Sequence, residues 1–176
     1  LSALGAYFWH PRPTPSSPPP PATPPPLTTS GRWEVLGGPI EVAGLRMGAP
    51  GAETVQALRK PPEKQQQNAE TCHSGYPTDG DGQLALALLE GRLVAAGAIG
   101  RWALSQEGRP LPGFMATQAE VERSLGSPTR KESRADGLAS WIYTRRPGEL
   151  TYTFEQGRVS QFSLTGEVKP LPLRPQ

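Results

Sequence analysis

Gly82-Gln83-Leu84-Ala85-Leu86-Ala87-Leu88-Leu89-Glu90-Gly91-Arg92-Leu93 can be laid without a gap over Gly148-Glu149-Leu150-Thr151-Tyr152-Thr153-Phe154-Glu155-Gln156-Gly157-Arg158-Val159. The overlay keeps the flanking glycines, the Gly-Arg pair and the alternating apolar positions. The same offset of 66 residues brings Gly100 over Gly166, Val55 over Val121 and Pro62 over Pro128. A period this long marks a duplicated unit rather than a solenoid.

Each copy can be read locally. Leu84, Leu86 and Leu88 alternate with small or polar neighbours, as do Leu150, Tyr152 and Phe154. Period two is the mark of a half-buried strand. Glu90-Gly91 and Gln156-Gly157 fall between two alternating runs, where glycine can take positive φ and close a hairpin. The returning strands are expected over 93–99 and 159–165. Upstream, Glu53-Thr54-Val55-Gln56-Ala57-Leu58 and the run from Thr117 to Gly126 carry short helical signals. Thr117 with Glu120 three residues on has the capping-box spacing. Val121 and Leu125 then share a face, and Gly126 with Pro128 ends the helix. Each copy therefore reads as short strand, helix, loop, strand and hairpin. The expected fold class is α+β, with two tandem helix-plus-antiparallel-hairpin repeats and helices on one face of the sheet.

These residues resemble a known envelope family. Leu45-Arg46-Met47-Gly48-Ala49 before the first helix, and Met115-Ala116-Thr117 with Glu120-Val121 and Leu125-Gly126-Ser127-Pro128 at the second, carry the likeness. Trp141-Ile142-Tyr143 and Phe154-Glu155-Gln156-Gly157-Arg158-Val159 continue it. The pattern is similar to the small BamE/SmpA/OmlA-type outer-membrane lipoproteins, and its doubling resembles the β-lactamase inhibitory protein. The resemblance implies that the two repeats form one continuous antiparallel sheet, in a non-enzymatic binding protein whose sheet or edge loops meet another protein. It divides the chain into repeats over 32–105 and 106–170, with a tail over 171–176. A lipid-attachment cysteine near the start, which the lipoproteins have, is not in this sequence: the one cysteine is Cys72.

Composition places the chain. Of its 176 residues, 22 are proline, and the run from Pro11 to Pro26 is too proline-dense to form a ladder or a core. Residues 11–31 read as a linker, and the run from Pro11 to Leu27, at about 3.1 Å per residue, makes a stiff spacer on the order of 50 Å. Residues 1–10, with Tyr7, Phe8 and Trp9 before His10, read as the end of a membrane anchor or signal segment. Aromatic rings sit well at the membrane–water boundary. A stiff spacer between a greasy end and a globular body suits a tethered extracytoplasmic domain. The formal net charge of +2 is far from the basic excess that neutralises phosphates, which argues against nucleic acid. Membrane contact is expected through the N-terminal segment alone.

Chemistry is sparse. Cys72 and His73 adjoin, but a metal centre needs about four ligands and the second histidine is His10. Asp79 and Asp81, in Thr78-Asp79-Gly80-Asp81-Gly82, resemble the start of a calcium loop without its later acidic ligands. They fit a turn opening the hairpin. No nucleophile elbow, phosphate loop or His-Glu-x-x-His stands in the sequence. No catalytic, cofactor-binding or metal residue is assigned. For partner contact the candidates are Thr151, Thr153 and Gln161 on the sheet face away from the helices, with Ala85 and Ala87 continuing it. Trp141, Tyr143 and Arg145 form a second group, because aromatics are enriched at hot spots. The leading expectation is a non-enzymatic envelope interaction module that meets another exported protein. A secreted enzyme inhibitor of the β-lactamase-inhibitor type is the alternative.

Overall fold

A computed structural model describes residues 32–59, 62–67, 71–77 and 82–172. The anchor, the spacer and the Asp79–Asp81 turn expected from the sequence lie outside the described residues. In chain order the first half contains β1 Trp33–Leu36, β2 Ile40–Val42, β3 Leu45–Arg46, α1 Gly51–Leu58, β4 Lys64–Gln67, β5 Thr71–Pro77, β6 Gln83–Leu89 and β7 Arg92–Ile99. The second half contains β8 Leu104–Gln106, β9 Arg109–Pro110, α2 Gln118–Leu125, β10 Arg130–Ser133, β11 Ala139–Thr144, β12 Glu149–Glu155, β13 Arg158–Thr165 and β14 Glu167–Pro170.

The main sheet is eight-stranded and antiparallel, in the order β10-β11-β12-β13-β7-β6-β5-β4. Its hairpins turn at Glu90-Gly91 and Gln156-Gly157, where all four residues have φ between 47° and 75°. Positive φ at both central positions is what a two-residue turn matched to strand twist requires. The seam between the copies is β13 against β7, with Phe162 opposite Ala98 and Leu164 opposite Ala96. Its inner face carries Leu84, Leu86, Ala96, Ala98, Leu150, Tyr152, Phe154, Phe162 and Leu164, all buried. A smaller sheet, β3-β2-β8-β9, adds Ile40, Val42, Leu45 and Leu104 to the same core. A third pairing joins β1 to β14.

The expected α+β class is overturned: the chain is mostly β. Fourteen strands stand against two helices of eight residues each among the described residues. The segments expected as loops after each helix are strands β4 and β10. Their sequences, Lys64-Gln65-Gln66-Gln67 and Arg130-Lys131-Glu132-Ser133, are polar throughout. Both lie at the edges of the sheet, where charge and amide groups discourage further pairing. No apolar alternation marks them, so periodicity missed them. The helices contribute little to the core: Val121 belongs to it and Leu58 and Leu125 pack against it.

The helices also correct the overlay. Pro50 and Thr117 are the N-caps of α1 and α2, and they bridge Arg92 and Arg158 respectively. The helices therefore correspond one residue out of step with the hairpins. One residue turns a helix by about 100°, so Thr54, not Val55, takes the place of Val121. Thr54 is buried and Val55 is 47% exposed.

At α2 the capping box forms. The Thr117 backbone N–H and hydroxyl donate to Glu120 Oε2 at 2.7 and 2.9 Å, and the Glu120 N–H donates back to Thr117 Oγ1 at 3.3 Å. Those hydrogen bonds hold the Glu120 carboxyl below its usual range. A depressed carboxylate pKa stabilises the fold above the ordinary carboxylate pKa, and the effect is lost as pH falls through the lowered value. Thr117→Ala is expected to cost about 1 kcal/mol. The loss, read from urea midpoints, should be larger near neutrality than in acid; an equal loss at both would separate the cap from Glu120.

Candidate functional site

Strand pairing lines up residues from seven adjacent strands of the main sheet on its outer face, the one opposite the core. One row runs Gly75, Ala85, Gly97, Ser163, Thr151, Ile142 and Arg130. Beside it Gln83, Ile99, Gln161, Thr153, Ser140 and Glu132 form a second row. On the other side Ala87, Ala95, Thr165, Glu149 and Thr144 form a third. Alternation along each strand puts these residues on one face because their neighbours are needed inside.

The centre of that face is hollow. Gly75, Ala85, Ala87, Ala95, Gly97 and Ser163 floor an open trough of about 510 Å³. Small side chains in adjacent strands leave the backbone as the surface; a Cβ added at Gly97 would meet nothing within 4 Å. Gln66 and Gln83 stand beside it and supply amide donors and acceptors. Ile99 lies in the neighbouring row and is 44% exposed, an apolar anchor that the sequence reading missed. The signal was present: Ala96 and Ala98 point inward, so by period two Ile99 must point out. Neither Trp102 nor Trp33 lines the trough. Trp102 packs against the core, and Trp33 lies on β1, paired with β14.

The candidate contact residues divide. Ala85, Ala87, Thr151, Thr153 and Gln161 all lie in the three outer rows. Trp141 and Tyr143 do not: they are 7% and 2% exposed and belong to the core. The Trp141 ring lies 4.9 Å from Phe154, and Tyr143 meets Tyr152 edge-on at 6.2 Å. The Tyr143 hydroxyl donates to Gly126 O at 3.2 Å and that of Tyr152 to Pro112 O at 2.7 Å. Burial pushes both phenols above their usual range, Tyr152 furthest. Neither ring is available to a partner. Arg145, two residues on, shares their orientation: its Nη2 donates to Leu125 O at the end of α2, 2.7 Å away. It lies on the helix side of the sheet and is no part of the trough. On β10 and in the turn after it, Arg130 pairs with Glu132 and Arg134 with Asp136, both at 2.8 Å and exposed.

The trough offers side-chain amides, a hydroxyl and small apolar side chains, groups that exchange hydrogen bonds and bury modest apolar surface. No three His, Cys, Asp or Glu side chains come together as a metal site among the described residues. None of the described helices is long and apolar enough to cross a membrane.

No family model matches the chain, and no curated protein does. The expected kinship with the SmpA/OmlA lipoproteins thus has no family match behind it. Solved structures do match. A cysteine-rich secretory protein from Staphylococcus aureus subsp. aureus Mu50 superposes with a TM-score of 0.52 at 11% identity, over 74% of this chain and 48% of its own. An extracellular protein containing an SCP domain, from Bacillus anthracis str. Ames, gives 0.49 at 11% identity, over 73% and 50%. This chain spans about half the length of each of those two proteins. A candidate beta-lactamase inhibitor protein from Streptococcus mutans is a more distant neighbour, with a TM-score of 0.28 at 14% identity over 69% of this chain and 83% of its own. The first of these supports a shared fold; the last adds nothing to it.

Proposed function

We propose that this chain is a non-enzymatic extracytoplasmic interaction module that docks another exported protein across the outer face of its eight-stranded sheet. The observation that carries the reading is the row Gly75, Ala85, Gly97 and Ser163 across four adjacent strands. It leaves a wide apolar floor bordered by amides, open to solvent and uncharged among the described residues. Monomeric proteins rarely leave such a floor exposed without a use for it. Interfaces of this kind combine an apolar centre with a polar rim. Exposed Ile99 supplies an anchor beside the floor. The fold shared with a secretory protein is in keeping with an extracytoplasmic location. In this reading the proline-rich stretch and the aromatic N-terminus serve as spacer and tether.

The test uses a photo-crosslinking residue in intact cells, placed at Ala87 in the trough and, as a control, at Val55 on α1. A defined protein adduct is expected from Ala87 and not from Val55. Gly97→Arg should fill the trough without touching the core. We expect an unchanged melting temperature and a loss of that adduct, with affinity for the captured protein falling at least about thirtyfold, as at a hot spot. Equal capture from both positions, or capture indifferent to Gly97→Arg, would reject the outer face as the contact surface.

A further inference from the structure

The two copies fill the space against their inner faces unequally. Pairing places Cys72, Ser74 and Tyr76 opposite Leu88, Leu86 and Leu84 in the first copy. In the second, Ala139, Trp141 and Tyr143 stand opposite Phe154, Tyr152 and Leu150. The next strand pairs Ala96 with Leu86 in the first copy and Phe162 with Tyr152 in the second. Ser74, Leu86, Leu88 and Ala96 thus replace four aromatic side chains: Trp141, Tyr152, Phe154 and Phe162. In the second copy those rings pack on one another, with centroids 4.9 to 6.3 Å apart.

The volume the first copy lacks is open. A cavity of about 620 Å³ lies between α1 and the β5–β6 pair, lined among others by Thr54, Val55, Cys72, Tyr76, Leu86 and Leu88. None of the described residues that line it is charged. Its polar atoms are already engaged in part: the Thr54 hydroxyl donates to Pro50 O at 3.4 Å, and Gln65 Nε2 donates to Cys72 Sγ at 3.0 Å. Water finds few partners in such a space, and empty apolar volume destabilises a fold in proportion to its size. Val55, half exposed on α1, gives the wall an opening to solvent. Volumes of several hundred Å³ with mostly apolar walls and few polar groups suit a small apolar ligand.

We propose that the cavity beneath α1 is a binding site for a single linear aliphatic chain, of the fatty-acyl class, which enters past Val55 and lies against Leu86 and Leu88. The site faces away from the outer trough, so either reading can fail without the other.

Calorimetry on the full chain with octanoate, laurate and palmitate tests it. One site per chain is expected, with affinity rising about fourfold per added methylene until the cavity is full, then levelling. Bound laurate should also slow the reaction of Cys72, which is 1% exposed and lines the cavity, with a small thiol reagent. Leu88→Phe copies Phe154 of the second copy. It should weaken laurate binding at least tenfold while raising the melting temperature of the unliganded protein. If that variant does not fold, Ser74→Leu fills the same space from β5 and carries the same expectation. A parallel arm offers phosphatidylcholine vesicles: lipid uptake abolished by the filling variant assigns the chain to a phospholipid, and uptake of laurate alone assigns it to free fatty acid. No saturable binding in either arm overturns the proposal. So does binding that the filling variant leaves intact, or a wild-type dimer that Leu88→Phe dissociates, which would make a second copy the occupant.

Discussion

Phe154→Ala should cost about 3–5 kcal/mol of folding stability, the range for removing a fully buried aromatic side chain. Phe154 is 1% exposed. Its ring lies 4.9 Å from that of Trp141 and 6.2 Å from that of Tyr152. Both neighbours are pinned. Tyr152 is tied by its hydroxyl to Pro112 O, and Trp141 lies beneath Lys131 Nζ, 4.1 Å from the ring centre. Rings held in this way cannot collapse into the space, so the cavity term adds to the lost transfer energy. The strand itself is irregular here, with a register shift between Thr153 and Phe154, and the buried ring anchors it. Guanidinium titration monitored by near-ultraviolet circular dichroism measures the effect. A loss below about 1 kcal/mol would mean that the core tolerates the hole, contrary to a close-packed interior.

The second large effect is expected at the glycine just before β12. Gly148, which opens β12, has φ of +127°, and a Cβ there would meet Thr165 O at 2.5 Å. Gly148→Ala therefore combines a backbone conformation that L-residues rarely adopt with a clash against the backbone of the paired strand. Strain alone costs on the order of 1–3 kcal/mol, and relieving the clash must shift the end of the β12–β13 ladder. Gly157→Ala is the matched control. Its φ of +75° is also left-handed, but a Cβ there meets nothing within 4 Å, so about 1–2 kcal/mol is expected. Chemical denaturation of the pair separates the two terms. Equal losses would show that the Thr165 carbonyl gives way freely, and that the close approach is not a constraint on the sheet.

Much of the sheet was legible in the residues. Alternation of Leu150, Tyr152 and Phe154 around Gln156-Gly157 predicts a hairpin with that inner face, and those three residues are buried. The cap at Thr117 was equally local, set by one hydroxyl and one carboxylate three residues apart. Failures arose where local signals were weak or ambiguous. Strands β4 and β10 carry no apolar period, since edge strands over solvent do not need one. At α1 the helix is out of step by one residue, and only the bridge from Pro50 to Arg92 reveals it. Trp141 and Tyr143 illustrate a different limit: aromatic character suits a hot spot and a core equally, and burial alone decides.

The candidate surface was partly readable. Period two by itself places Ala85, Ala87, Thr151, Thr153 and Gln161 on one face of their strands. That these strands lie in one sheet, with Gly97 against Ser163 across the seam, follows from pairing between copies, which local sequence does not encode. Ile99 became a surface anchor only when its row was assembled.

By itself the sequence determined the hairpins, their turn glycines, the capped second helix and the faces of the strands, because each depends on residues a few positions apart. Tertiary structure alone decided the mostly-β class, the join of β13 to β7, the trough and the unequal filling beneath α1. Those depend on which strands pair across long stretches of chain and on how much volume their side chains leave between layers, quantities that exist only once the layers have met.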